Sequence, residues 1–444
     1  MRPTRSRAAA GERRARPRTE EVATVTIDSI GAGGAGVGRI DGLTCFVPRT
    51  AMGDVAQVAY VNHGRYARGR VLQVLESSPD RISPACRHYV QDECGGCQLQ
   101  HVNSAAQRRT RQHIVKEALA RVGQRDVALP DLRVGDVWHY RERLTLTLRQ
   151  KGSNWIGGLV PWSSGSSVFA LEECPIAHPL LIACWSSLRQ VLRGLPTPDA
   201  GADPLRLSLR MVRAVDGGDD SARVALLVSG ARRWPEADAW AAQAMTGVPA
   251  LCAVWWQAVE RAPVSVAGDT NREVLAFAQV NPAMAAQLQA HVLEQVHALA
   301  PSSVVDAYSG RGDLAVTLAG EGVRVAAIEA DASATEVARV RLMAFPGAQV
   351  HTALVEDAIE AVLPADVVVL NPPRRGLDVR VTAALAAAAG RGVRALVYVS
   401  CDPATLARDL SRLPQWRITA LTCFDMFPQT AHVETVCVLV PENA

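Results

Sequence analysis

At 444 residues, with 48% hydrophobic and 20% charged residues, the chain has an ordinary globular composition and the length for about two to four domains with real cores. No apolar run approaches the ~18 residues of a membrane-spanning helix, so no membrane partner is expected. Ten cysteines are too sparse for a disulfide scaffold and no secretory apolar region precedes them, so a reducing, cytoplasmic setting is expected. The net charge is +3, but residues 1–20 hold seven Arg against Glu12 and Glu20, which leaves the body slightly acidic. That stretch reads as a disordered basic tail, with a nucleic-acid contact or an organellar transit peptide as its two uses.

Residues 21–79 alternate apolar and polar positions between turn signals: VATVTIDSI, GAGGAGVGR, LTCFVP, DVAQVAYV and ARGRVLQVL. A sheet this small must close or pack to remove its edges, which predicts a small β-barrel. The glycines of 31–38 lack the following helix and distant acid of a dinucleotide fingerprint, so they read as a turn. Through GAGVGRIDG, FVP and the exit RISPAC, the stretch resembles a TRAM domain, an OB-like RNA-binding barrel. From the residues alone, a structural cap serves equally well.

Cys94 and Cys97 are separated by two glycines and can turn onto one ion, and Cys86 is a third thiol close upstream. The spacing leaves the metal open. His101 would complete a zinc site, and a distant Cys an iron–sulfur cluster. A helix follows over 104–120, whose Arg108, Arg109, Arg111 and Lys116 read as a solvated face. The runs RLTLTLR, LRLSLRMV, ARVALLVSG and LCAVWWQ extend a central α/β domain to about residue 270.

CGGCQLQH after such a barrel, with LEECPIAHP far downstream, resembles the iron–sulfur-containing RNA uridine-5-methyltransferases that act on 23S ribosomal RNA. The resemblance implies a [4Fe-4S] cluster on Cys86, Cys94, Cys97 and Cys174. The seven-residue gap after Cys86 is longer than is usual in that family.

From residue 271 strands alternate with helices, which predicts a doubly wound parallel sheet. SSVVDAYSGRGD is a strand, a Gly-turn and a helix start; VRVAAIEAD is the next strand, with Glu329 at its carboxyl end. That acid can hold ribose hydroxyls, and with Asp357 after the third strand and no phosphate-binding Lys the pattern favours S-adenosylmethionine over a dinucleotide. ADVVVLNPP is strand four, ending at Asn371. RALVYVS is strand five, and Cys401 follows it on a strand-to-helix turn, close to helix amides that favour a thiolate. ITALTCF and ETVCVLV are the last two strands. In a class I methyltransferase sheet the final, antiparallel strand lies beside strand five, which brings Glu434 to the same edge as Cys401.

The resemblance extends over nearly all of residues 22–440. It assigns the donor contacts to Phe277, Gln279, Asn281, Tyr308, Asp313, Glu329, Asp357 and Asn371. Asn371 stands where the family has Asp. It also matches SCDPATLARD around Cys401 and FPQTAHVE up to Glu434, which implies a cysteine nucleophile and a carboxylate base. The expected activity is transfer of a methyl group to C5 of a uridine in structured RNA by a monomer, with no DNA partner. Transfer-RNA methylation and a catalytically silent RNA-binding or assembly role are the alternatives. N-methylation would leave Cys401 unused, and RNA cytosine-5 methylation calls for a Cys in the strand-four motif, which this chain lacks.

Overall fold

The computed structural model describes residues 20–442 except 153, 166, 199–203, 214–221 and 276–277. The basic tail, apart from Glu20, and Phe277 lie outside the described residues. The chain divides into two compact units, Met1–Gly31 with Ala35–Arg81, and Ala32–Gly34 with Ile82–Ala444.

The first unit is a six-stranded sheet in the order Glu21–Thr26, Val55–Asn62, Ala67–Glu76, Leu43–Val47, Gly36–Ile40, Ser29–Ile30. Period-2 alternation buries Val25, Val47, Val58 and Tyr60 in one apolar cluster. The expected closed barrel is not found among the described residues. The outer edge of Gly36–Ile40 is taken by the two-residue strand Ser29–Ile30, and no ladder joins it to Glu21–Thr26. The sheet curls instead of closing, with Asp28 donating to the Val37 carbonyl (2.9 Å). Gly38 permits the approach, since a Cβ there would lie 2.3 Å from the Thr26 carbonyl oxygen.

The exit of this unit is fixed by Asp54. Its buried carboxylate accepts the N–H groups of Ala51 (2.6 Å) and Ser78 (2.9 Å), and Nε of Arg81 (3.1 Å). Burial alone would raise its pKa, but the Arg81 guanidinium and the two backbone donors outweigh it and hold the carboxyl below its ordinary 3.8. The stability this contributes is intact above the unfolded pKa and is lost as pH falls through the lower folded value. Asp54→Asn should therefore remove an acid limb from the first unit's unfolding, followed by denaturant titrations between about pH 2 and 6. An unchanged limb would assign it to other carboxylates.

The second unit holds two sheets. The first has seven strands, in the order Phe169–Ala170, Asn154–Leu159, Arg143–Lys151, Leu205–Val212, Arg223–Ala231, Leu251–Ala258, Val264–Gly268. Its leucine-rich face packs on the helices Pro179–Leu188 and Ala237–Gly247. The other sheet has eight strands: β1 (Asp131–Arg133), β2 (Ser303–Ala307), β3 (Arg324–Glu329), β4 (Ala348–Thr352), β5 (Val367–Leu370), β6 (Ala395–Ser400), β7 (Trp416–Phe424) and β8 (Glu434–Pro441). Their order is β4-β3-β2-β5-β6-β8-β7-β1. The pairs from β4 through β6 are parallel, and β8 is antiparallel to both β6 and β7.

Every residue of β5 and β6 is buried, as expected of strands covered on both faces. Helices α1 (Ser104–Arg121), α5 (Val355–Val362), α6 (Val379–Ala388) and α7 (Pro403–Ser411) pack on one face. Helices α2 (Pro282–Ala298), α3 (Asp313–Gly320) and α4 (Ala332–Leu342) pack on the other. The edge strand β1 was not legible as a strand in sequence. It pairs through three residues only.

Candidate active site

Strands β2, β5 and β6 lie side by side, so the loops after them share one sheet edge. After β2 the chain makes a tight turn, with Tyr308, Gly310 and Gly312 at φ 63°, 56° and 74°. Glycine reaches this region freely, whereas Tyr308 is held there at a cost of about 1–3 kcal/mol. Two bonds fix the turn: Ser309 N–H to the Ile328 carbonyl (3.1 Å) and Gly310 N–H to Oε2 of Glu329 (3.0 Å). The second oxygen of Glu329 accepts Asp331 N–H (2.8 Å). Beneath the turn Asp306 is buried, and burial, reinforced by Asp313 and Glu329 against a bond from Ala315, raises its pKa to about 7.

The residues expected to contact a donor divide into two sets. Tyr308 and Glu329 belong to the turn, and Asn371 ends β5 with its N–H on the Ala307 carbonyl (3.2 Å). Gln279 is half-buried just before Asn281, whose side chain caps α2 and donates to the Met426 carbonyl (3.3 Å). Asp313 and Asp357, by contrast, are exposed and engaged elsewhere. Asp313 pairs with Arg341, and Asp357 with Arg380 (2.6 Å). The side chain of the neighbouring Glu356 is 7% exposed, faces Arg375 (3.7 Å) and lies near enough to Tyr308 to oppose its ionisation. Sequence reasoning passed over Glu356. The apolar positions 355, 358 and 359 give α5 its buried stripe, and 356 flanks it.

Cys401 follows β6, and Ser400 shapes its turn by exchanging hydrogen bonds with Asp402. Asp402 caps α7 by accepting from Thr405 N–H (2.9 Å). Ser400 pairs with Thr435 and Phe424 with Glu434. One step beyond the Ser400–Thr435 pair, Cys401 therefore stands beside Glu434 at the mouth of β8. Burial, then the Glu434 charge, pushes the Cys401 thiol up, against a pull from Arg374. The expected thiolate at rest is thus corrected: the helix amides serve Asp402, and a neighbouring carboxylate opposes ionisation. Glu434 is itself 4% exposed, and burial raises it to about 7 despite the same Arg374. Arg374 faces His432 as well.

Arg374 is held from α7. Thr405 donates to its carbonyl (3.1 Å), Arg408 to that of Arg375 (2.7 Å), and the buried carboxylate of Asp409 accepts Leu377 N–H and Tyr398 O–H (each 2.8 Å).

Of the four cysteines expected to bind a metal, Cys86, Cys97 and Cys174 meet in a small apolar cluster with Tyr89, Tyr140 and Ile176, and Cys94 lies near enough to oppose ionisation of Cys97 and Cys174. His88 helps to assemble it, since its Nε2 accepts the N–H groups of Glu172 (3.0 Å) and Glu173 (3.4 Å) just before Cys174. Burial and the mutual charges of the thiols raise Cys97 to about 12 and Cys174 to about 11. Among the described residues no group of three or more His, Cys, Asp or Glu stands at the spacing of a closed metal site.

Arg111, expected on a solvated face, is instead fully buried and paired with Asp425 (3.3 Å).

A family profile described as tRNA (Uracil-5-)-methyltransferase matches residues 359–442. A 23S rRNA (uracil(1939)-C(5))-methyltransferase of Thiobacillus denitrificans is 30% identical over 93% of this chain and 98% of its own length. An uncharacterized RNA methyltransferase of Thermosynechococcus vestitus is 31% identical over 93% of this chain and 96% of its own. In fold, the chain is similar to the Pyrococcus abyssi tRNA (uracil-54, C5)-methyltransferase solved with S-adenosyl-L-homocysteine, at a TM-score of 0.66, 21% identity and coverage of 94% and 99%. Similarity of this extent along nearly the whole length of the relatives, with Cys401 and Glu434 inside the matched C-terminal segment, means that the protein belongs to the RNA uracil-5-methyltransferases, an S-adenosylmethionine-dependent enzyme family.

Proposed function

We propose that the protein methylates C5 of a uridine in RNA, with ribosomal RNA as substrate, through a covalent bond from Cys401 to C6. The juxtaposition of Cys401 and Glu434 at the sheet edge that also carries the Gly-turn supports this reading. C5 of uracil is a weak nucleophile. Cys401 first gives up its proton to solvent; addition of the resulting thiolate to C6 then moves the electron pair to C5, which attacks the sulfonium methyl and releases S-adenosylhomocysteine. Glu434 then takes the C5 proton, the C5=C6 bond reforms and the thiolate leaves. The base must reach in-line groups on the ring, so the uridine is extruded from its stack. Arg374 and Arg375, at the mouth, contact its phosphates.

Cys401→Ala should abolish turnover and any covalent protein–RNA species. Glu434→Gln should transfer one methyl group and stall as an adduct retarded on a denaturing gel. Normal turnover by Glu434→Gln, or an adduct from Cys401→Ala, would reverse the assignment. Mass spectrometry of ribosomal and transfer RNA from cells with and without the protein identifies the substrate.

Glu434 accepts a proton only when ionised, so release of methylated RNA in single-turnover experiments should rise with pH through about 7. A release rate that stayed flat from about pH 5.5 to 8.5 would remove Glu434 from this step.

We further propose that Cys86, Cys94, Cys97 and Cys174 hold a [4Fe-4S] cluster and that residues 21–79 act as a TRAM-like RNA-binding module. Burial and neighbouring thiols disfavour the thiolates of Cys97 and Cys174, and a cationic centre among the four sulfurs would compensate those charges. The N–H groups of Ala177 and Ile176 and the Gln100 side chain already face the sulfurs of Cys174 and Cys97. Methyl transfer is redox-neutral, so the cluster would supply cross-linking of the 86–97 and 174 segments and no step of the reaction. Protein purified anaerobically should be brown and contain iron and sulfide. Stoichiometric zinc without iron would overturn this and bring His101 forward as a ligand.

A further inference from the structure

The loop from Asp425 to Val433 joins β7 to β8 and delivers Glu434. A connection between neighbouring antiparallel strands normally lies in solvent, where water satisfies its backbone. This one is interior: Asp425, Met426, Gln429, Thr430, Ala431 and Val433 are all buried. Its carbonyls are met one after another. Asn281 donates to Met426 (3.3 Å), Thr430 N–H and Oγ1 to Phe427 (3.2 and 2.7 Å), and Tyr140 O–H to Pro428 (3.0 Å). Gln98 and Leu99 N–H groups donate to Gln429 (3.1 and 2.9 Å), and Nε of Arg111 to Thr430 (3.1 Å).

Two side chains one turn apart on α1 complete the grip. Gln107 donates from Nε2 to Oε1 of Gln429 (2.9 Å) and accepts Gln429 N–H (3.1 Å). Arg111 donates from Nη2 to Oε1 of Gln107 (3.1 Å) and sets Nη1 against the Asp425 carboxylate. Burial lowers the Arg111 pKa and raises that of Asp425, and each charge offsets the other's penalty. A buried ion pair is a poor source of net stability, so its use here is geometric. Through it and the bond to Thr430, Arg111 holds the stretch that precedes Glu434 at two points.

We propose that Gln107 and Arg111 are positioning residues for Glu434, setting its carboxylate against Cys401 through the buried pairs Gln107–Gln429 and Arg111–Asp425. The proposal rests on the reading of Glu434 as the base. The full-length variants Arg111→Met and Gln107→Met, with Glu434→Gln in parallel, are given S-adenosylmethionine and unmodified ribosomal and transfer RNA transcripts. S-adenosylmethionine binding is measured by calorimetry, methyl transfer by label incorporation, and adduct on a denaturing gel.

Both variants should bind S-adenosylmethionine within about twofold of the parent, incorporate a single methyl per enzyme and accumulate the adduct, with multiple turnover reduced about 10–100-fold. Normal turnover, or loss of adduct formation with S-adenosylmethionine binding retained, would overturn the proposal. If Arg111→Met alone loses S-adenosylmethionine binding, Gln107→Met decides. If both lose it, the residues are folding elements and the proposal falls. If Glu434→Gln itself accumulates no adduct, the base assignment fails instead.

Discussion

The architecture of the second unit depends on satisfying the backbone of a buried loop. Buried carbonyls without partners each cost about 1–3 kcal/mol. The loop ahead of β8 is kept inside only because donors arrive from the cysteine segment, α1, Tyr140 and the cap of α2. These lie far away in sequence: Asn281 and Met426 are 145 positions apart, Gln107 and Gln429 322. The same bonds therefore join the cysteine segment to the sheet edge at which Cys401 and Glu434 meet. Removing one member of the Arg111–Asp425 pair would leave a buried charge, at a cost of about 3–5 kcal/mol. The pair is best understood as specifying one arrangement.

The electrostatics at the mouth of β8 follow from the same burial. Cys401 and Glu434 are each pushed toward their neutral forms, and Arg374 acts on both in the opposite sense. Arg374 is thus the charge that eases ionisation of both groups. Arg374 can play this part only if its loop is fixed. Asp409 fixes it from beneath, through Leu377 and Tyr398.

The parts of the fold legible in sequence are those governed by local periodicity. The all-apolar runs VVVL and ALVYVS announce strands covered on both faces, and the turn at Gly310 and Gly312 shows directly in composition. The meeting of Cys401 and Glu434 required the antiparallel insertion of β8, which no local pattern encodes; resemblance to known sheets supplied it. Closure of the N-terminal barrel failed as an expectation because a two-residue strand took the edge that closure needed. A pairing that short has no periodicity to read.

Charged residues were read least well, because charge alone does not say which way a side chain turns. Arg111 looked solvated beside Arg108 and Arg109, yet it lies at the i+4 position from Gln107, on the same stripe as Ile114 and Val115, which are buried. That stripe faces the loop, and Asp425 offers the counter-charge that makes burial tolerable. Asp313 and Asp357, matched as donor contacts, both lie exposed. Both occupy the first turn of a helix, where the macrodipole already favours an acid, and both pair with surface arginines. In each case a carboxylate at a position matched by motif has an adequate local partner. The carboxylates that do stand beside the Gly-turn and Tyr308 are those of Glu329 and of Glu356, whose side chain is 7% exposed.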